Sequence, residues 1–288
     1  MDDLVEKIKA SIENRNSDPW FPELTADLAA HAWDNLHRDI GLTPESYGTE
    51  RVVSHSMSAR REIITSLKTC SLTCATARTI AIEALTEKFA FEYKEQGVSF
   101  YASAEIPHTA VLSCLEDAFA IINQVPSLLR TVVVLVRSLH VIKPEDADYD
   151  LSFSEPHIPF SIFVSVPEMR IANDALRVAE AIVHEAMHLQ LTLIESTSPL
   201  LLSRSKKYYS PWRKEYRDAE GILHALYVFR VIKQFFEYLS STEGQPLNVA
   251  VYIRNRCGEI NRQFEAVRSL RLESDLSRVG ACFTQRLV

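Results

Sequence analysis

The run His184-Glu185-Ala186-Met187-His188 puts two imidazoles four residues apart. On an α-helix that spacing stacks them on one face, so both rings can address a single metal ion. Glu185 lies about 100° around the helix from His184, near enough to touch water or substrate at the ion without ligating it. In a chain with nine histidines the pattern arises by chance with a probability on the order of 0.02. The flanking residues, Val178-Ala179, Ala181-Ile182-Val183, Met187 and Leu189, are apolar and bury the motif, where two neutral histidines without partners are costly. His184 and His188 are therefore expected to hold a metal ion.

A catalytic ion usually takes a third protein ligand and keeps open positions for water or substrate. Glu195 shares the histidine face but stands roughly 10 Å beyond His188 along the helix axis, too far for the same ion. No glycine follows the motif to turn the chain back, so the third ligand must come from another element. On the helix expected after Pro211, His224 is the preferred ligand, with Glu220, one turn before it, as the second choice. The other histidines (His31, His37, His55, His108, His140 and His157) have no spaced partner and read as surface or core residues. Two chemistries remain open: a zinc hydrolase with Glu185 as general base, or ferrous iron activating oxygen.

The elements that must position these residues are mainly helical. Only seven glycines occur, and long segments run without glycine or proline. Helices are expected over Leu4 to Ile12, Leu24 to Ile40 with Gly41 as a stop, Ser58 to Lys94, and Ala110 to Ile122. Strand-like residues follow at Val132 to Val136, Leu151 to Phe153 and Ile158 to Val166. Asn173 or Asp174 then offers an N-cap to the histidine helix, which runs to about Glu195. After a polar loop from Ser196 to Pro211, helices are expected over Trp212 to Leu239 and Leu247 to about Arg271. The fold class is mainly α (α+β): a helical bundle with a small β-sheet or hairpin beside a zincin-like metal-binding helix. The expected organisation is one compact unit with a helical scaffold over residues 1–130, suited to substrate or leader binding, and a catalytic metal-binding region over 131–288.

Two downstream segments carry a resemblance. Ser210-Pro211-Trp212-Arg213-Lys214-Glu215-Tyr216-Arg217-Asp218 leads into Gly221-Ile222-Leu223-His224-Ala225-Leu226-Tyr227-Val228-Phe229. Together with Val183 to Leu189 they resemble a family of HExxH-type peptide-modification proteins, and Ser152-Phe153-Ser154 and Ile158 to Val166 extend the likeness. The resemblance implies an iron(II)- and 2-oxoglutarate-dependent peptide β-hydroxylase acting on a ribosomally synthesised precursor peptide. It implies that His184, His188 and His224 hold the iron and that Glu185 orients a ligand instead of acting as a peptidase base. Arg213 and Arg217 become the candidates for a buried guanidinium pairing with the keto acid's distal carboxylate. Arg217 is followed here by Asp218-Ala219-Glu220, where the family usually has an Arg-Pro turn. An extended peptide is expected to pair with the edge near Ile158 to Val166.

Composition excludes other classes. A net charge of -7 argues against a surface built to track nucleic acid. No stretch approaches the roughly 20 apolar residues of a membrane span, and the acidic start Met1-Asp2-Asp3 is unlike a secretory signal, so a cytoplasmic location is expected. Five scattered cysteines, Cys70 and Cys74 included, read as buried thiols and not as a disulfide framework.

Overall fold

The computed structural model describes residues 2–39, 66–76, 78–85, 87–102, 105–106, 110–146, 150–155, 160–168, 171–242, 244–270, 272 and 274–288. Its helices and strands match the mainly α (α+β) class. The chain divides into two compact units, one of residues 29–189 and one of residues 1–28 with 190–288. Gly41, His55, His108, His157 and Ile158 lie outside the described residues.

The unit of residues 29–189 is organised on a six-stranded mixed sheet. Its strands are β1 (Ser66–Thr73), β2 (Thr79–Leu85), β3 (Ser99–Phe100), β4 (Ser138–Lys143), β5 (Ser152–Phe153) and β6 (Ser161–Ser165), in the order β1-β2-β4-β6-β5, with β3 also beside β4. β2, β4 and β6 run parallel, while β1, β3 and β5 pair antiparallel with their neighbours. The middle strands are buried on both faces: all of β6 and all of β4 except Lys143 are buried. Such strands read as continuous apolar runs without alternation.

Two expectations fail here. The described part of the helix expected over Ser58 to Lys94 is instead the β1–β2 hairpin, and only α3 (Glu87–Lys94) is helical. Thr79-Ile80-Ala81-Ile82 alternates, with Ile80 and Ile82 inaccessible, and cross-strand packing outweighs the helix-compatible composition. Conversely, Val132 to Val136 is not a strand. Residues Pro126–Leu135 form α5, with Pro126 in its first turn. Leu128, Leu129, Val132, Val133 and Leu135 are all buried, so tertiary packing overrides the modest helix penalty of β-branched residues. The expected division at 130/131 falls inside this helix. α4 (Ala110–Ile122) lies where the sequence places it.

One face of the sheet is closed by an aromatic cluster. Phe163 stacks on Phe153 with centroids 4.5 Å apart and on His140 at 4.5 Å, and Tyr93 packs on Phe153 at 5.5 Å. His140 is wholly buried, and its Nδ1 lies 3.1 Å from the Glu83 carbonyl. Because that partner only accepts, Nδ1 carries the proton.

The unit of residues 1–28 and 190–288 is built from α1 (Asp2–Glu13), the first turns of α2 (Pro22–Asp39), the end of α6 (Asp174–Thr197), the hairpin β7 (Lys207–Ser210) and β8 (Glu215–Asp218), α7 (Ala219–Ser240), α8 (Leu247–Val267) and α9 (Arg278–Leu287). Gln190 is inaccessible; its amide donates to the Trp20 carbonyl at 2.8 Å and to Thr25 Oγ1, while its carbonyl accepts from Tyr227. Tyr227 lies against Phe21 and Phe283. α9 lies beyond the last helix expected from sequence. Ser277 caps it by accepting from the Gly280 N–H at 3.0 Å, and a Cβ at Gly280 would collide with the Leu200 carbonyl oxygen. Among the described residues no helix is long and apolar enough to cross a membrane.

Burial lowers the pKa of His140 from 6.5 to about 4. The unfolded chain therefore takes up a proton below pH 6.5 that the folded chain refuses until about pH 4, so stability is present above 6.5 and lost as pH falls through that window. The loss from this residue is on the order of 3 kcal/mol. Denaturant unfolding of His140→Gln, measured from pH 7 to 4, is expected to show a correspondingly flatter pH dependence than the natural chain; equal slopes would refute the assignment.

Candidate metal centre

α6 spans 24 residues and is the longest helix described. Asn173 precedes it with φ of 73°, a left-handed conformation that asparagine tolerates, and its carbonyl accepts the first helical bond from Arg177 at 2.9 Å. Asp174 is buried; its carboxylate accepts from the Ile171 N–H at 2.6 Å and pairs with Arg177 at 3.2 Å. A negative charge in the first turn also complements the helix dipole. Arg177 extends the pairing to Asp150 at 2.9 Å, which ties the helix start to the segment entering β5.

The histidine pair lies three turns along α6. His184 Nε2 and His188 Nε2 are 3.1 Å apart, and the rings are tilted by 59°. Ile182, Val183, Ala186 and Met187 between and before them are inaccessible. Two imidazole nitrogens at that separation share either a proton or a cation, and as a donor set neutral imidazole suits zinc, iron and copper. Glu185 is buried at 3% exposure. Its Oε1 accepts from Ser152 Oγ at 2.7 Å and lies 3.9 Å from His184 Nε2. Glu185 therefore stands beside the pair without replacing either ligand, as its position on the helix requires. The Ser152 contact is the feature the sequence did not reveal: it joins strand β5 to the helix, and no local spacing encodes it.

His224 lies on α7 in the other unit. Its Nε2 is 2.9 Å from Glu195 Oε2, and the ligand atoms of Glu195, Glu220 and His224 all lie within 4.8 Å of one another. Among the described residues this is the one such triad of possible ligands. Glu220 is already clamped by Arg204, with Nε to Oε2 at 2.7 Å and Nη2 to Oε1 at 3.0 Å. Its charge is thus met, which makes it the poorer ligand of the two. Glu195 has a different role from the one weighed from sequence. Read from sequence as too far along α6 to share an ion with His188, it lies 2.9 Å from a ring nitrogen of His224 and belongs to the triad of possible ligands.

The arginines do not form the expected buried guanidinium. The helix expected from Trp212 begins only at Ala219, because Asp218 caps it by accepting from the Gly221 N–H at 3.0 Å. That bond also lowers the Asp218 pKa. Residues 207–218 form the β7–β8 hairpin in place of loop and helix. Arg213 and Arg217 are exposed, and Arg217 pairs with Glu215 at 3.0 Å. Trp212 anchors the hairpin instead, stacked on Phe229 at 5.6 Å and edge-on to Phe264 at 6.2 Å.

Comparison with known proteins adds no relative: no protein-family model and no curated protein matches the chain.

Metal analysis of purified variants tests these assignments. His184→Ala and His188→Ala are each expected to reduce bound iron or zinc to background, and Glu185→Gln to leave it bound. His224→Ala should cost more than Glu220→Ala, and the reverse order would transfer the third-ligand role to Glu220.

Proposed function

We propose that the chain is a metal-dependent peptide β-hydroxylase of the iron(II)- and 2-oxoglutarate-dependent kind, acting in the cytoplasm on a ribosomally synthesised precursor peptide. The observation that carries the metal is the convergence of His184 Nε2 and His188 Nε2 at 3.1 Å. The choice of reaction rests on the likeness of Val183 to Leu189 and Ser210 to Phe229 to the HExxH-type peptide-modification proteins. His184 and His188 would hold the iron; His224 is the third ligand that the sequence likeness proposes. When bound, iron together with the keto acid supplies oxygen activation for insertion into a C–H bond.

The chain's own residues have narrower tasks. Glu185 accepts a hydrogen bond from Ser152 at 2.7 Å, which fixes the carboxylate toward β5 beside the histidine pair. A carboxylate held in place this way suits the role of an orienting acceptor. The inaccessible side chains around the histidines keep water from the back of the site. No described arginine is assigned to the keto acid, since Arg213 and Arg217 are exposed.

A zinc peptidase is the second reading, favoured by one feature: Glu185 lies 3.9 Å from His184 Nε2, beside the place where a metal-bound water would lose its proton. Anaerobic loading with ferrous iron, followed by oxygen and 2-oxoglutarate, separates the two. Iron-dependent formation of succinate is expected. Absence of succinate, with tight zinc and cleaved peptides, would overturn the hydroxylase.

A further inference from the structure

The edge expected to receive a peptide, near Ile158 to Val166, is closed: β6 is paired with β4 on one side and β5 on the other. Among the described residues, the outer strand on that side of the sheet is β5. There, Leu151 turns its main chain inward, its carbonyl accepting from the Ser165 N–H at 2.9 Å and its N–H donating to Ser165 Oγ at 3.0 Å. Phe153 faces Phe163 across the same ladder. Main-chain groups of alternate strand residues point to opposite sides, so the N–H and C=O of Ser152 point outward. Neither makes a hydrogen bond among the described residues.

Side chains obey the same alternation. Leu151 and Phe153 pack on the Phe163 cluster, on one face of the sheet. Ser152 projects from the other face, where its Oγ donates to Glu185. One residue thus presents an open main-chain donor and acceptor at the sheet edge and a side chain that touches the carboxylate beside the histidine pair. Its flanks are fixed as well. Asp150 is held by Arg177, and Glu155 accepts from Tyr93 at 3.0 Å.

We propose that an extended segment of the peptide substrate pairs antiparallel with β5 through the outward N–H and C=O of Ser152. This rests on the peptide-modifying reading and gives it a register. In an antiparallel pair, two residues that exchange both bonds lie directly opposite and project their side chains from the same face. The Cβ of the substrate residue opposite Ser152 would stand about 5 Å from the Ser152 Cβ, on the face of Glu185 and His184. It is this residue's β-carbon that the site would address. Its two neighbours would turn their side chains to the aromatic face, where Tyr93 and Phe153 lie. A second copy of the chain is a poorer occupant, because a two-residue edge offers a single bonded pair to a partner that must bury far more surface.

The test is binding, not turnover, so that it stands apart from the iron chemistry. The probes are blocked decapeptides in a Ser-Thr-Val host, with one N-methyl group moved along the backbone and the central residue varied. The readout is the Ser152 amide resonance and its hydrogen exchange in the full chain. Peptide is expected to shift this amide and slow its exchange. N-methylation of the residue opposite Ser152 is expected to weaken binding about tenfold, while methylation of either neighbour leaves it within about twofold. An unperturbed Ser152 amide, equal effects of methylation at adjacent residues, or protection that grows with protein concentration without peptide would each overturn the proposal. Binding with this alternation but without succinate formation would overturn the hydroxylase and leave the docking edge intact.

Discussion

Two imidazole nitrogens 3.1 Å apart cannot both turn lone pairs toward the other; the gap between them holds a proton or a cation. That constraint governs the rest of α6. It requires an unbroken helix through both histidines, because one residue of slip would swing the rings about 100° apart. It also requires rigid support, which the inaccessible Ile182, Val183, Ala186 and Met187 supply on the opposite side. The helix start is pinned by the buried Asp174 and by Arg177, and further along it Gln190 donates into the Trp20–Thr25 turn. Polar groups buried with their partners satisfied fix one arrangement where an apolar helix could rotate or slide.

The pairing of His184 with His188 on one helix face was legible because it depends on local spacing. Four residues make a turn, and His184 and His188 meet whatever surrounds them. The cap at Asn173 and Asp174 was readable for the same reason. What could not be read was set by partners distant in sequence. Thr79 to Leu85 and Pro126 to Leu135 have compositions compatible with either element, and they were decided by what they pack against: a neighbouring strand in the first, apolar surroundings on nearly every side in the second. The Ser152–Glu185 bond spans 33 residues and left no trace in either local pattern.

The arginines teach a related lesson. Arg213 and Arg217 were marked by residue type and by neighbouring aromatics, yet type does not fix burial. Asp218 captures the Gly221 N–H in the first turn of α7, and the residues before it form a hairpin in which Arg213 and Arg217 face water. The aromatic in the same segment fared differently. Trp212 lies flat on Phe229, so the segment's structural anchor is its indole and its charges are peripheral.

Ser152 belongs at once to the sheet edge and to the neighbourhood of the histidines, and this makes it a point of thermodynamic exchange. Whatever draws β5 outward or inward moves the hydroxyl that Glu185 accepts, and whatever reorients Glu185 pulls on β5. Such coupling is reciprocal: an ion that tightens the edge's hold on a peptide must itself be held more tightly, by the same factor, once the peptide is there. Under the proposed function, metal and peptide would therefore strengthen each other's binding by the same factor whichever arrives first.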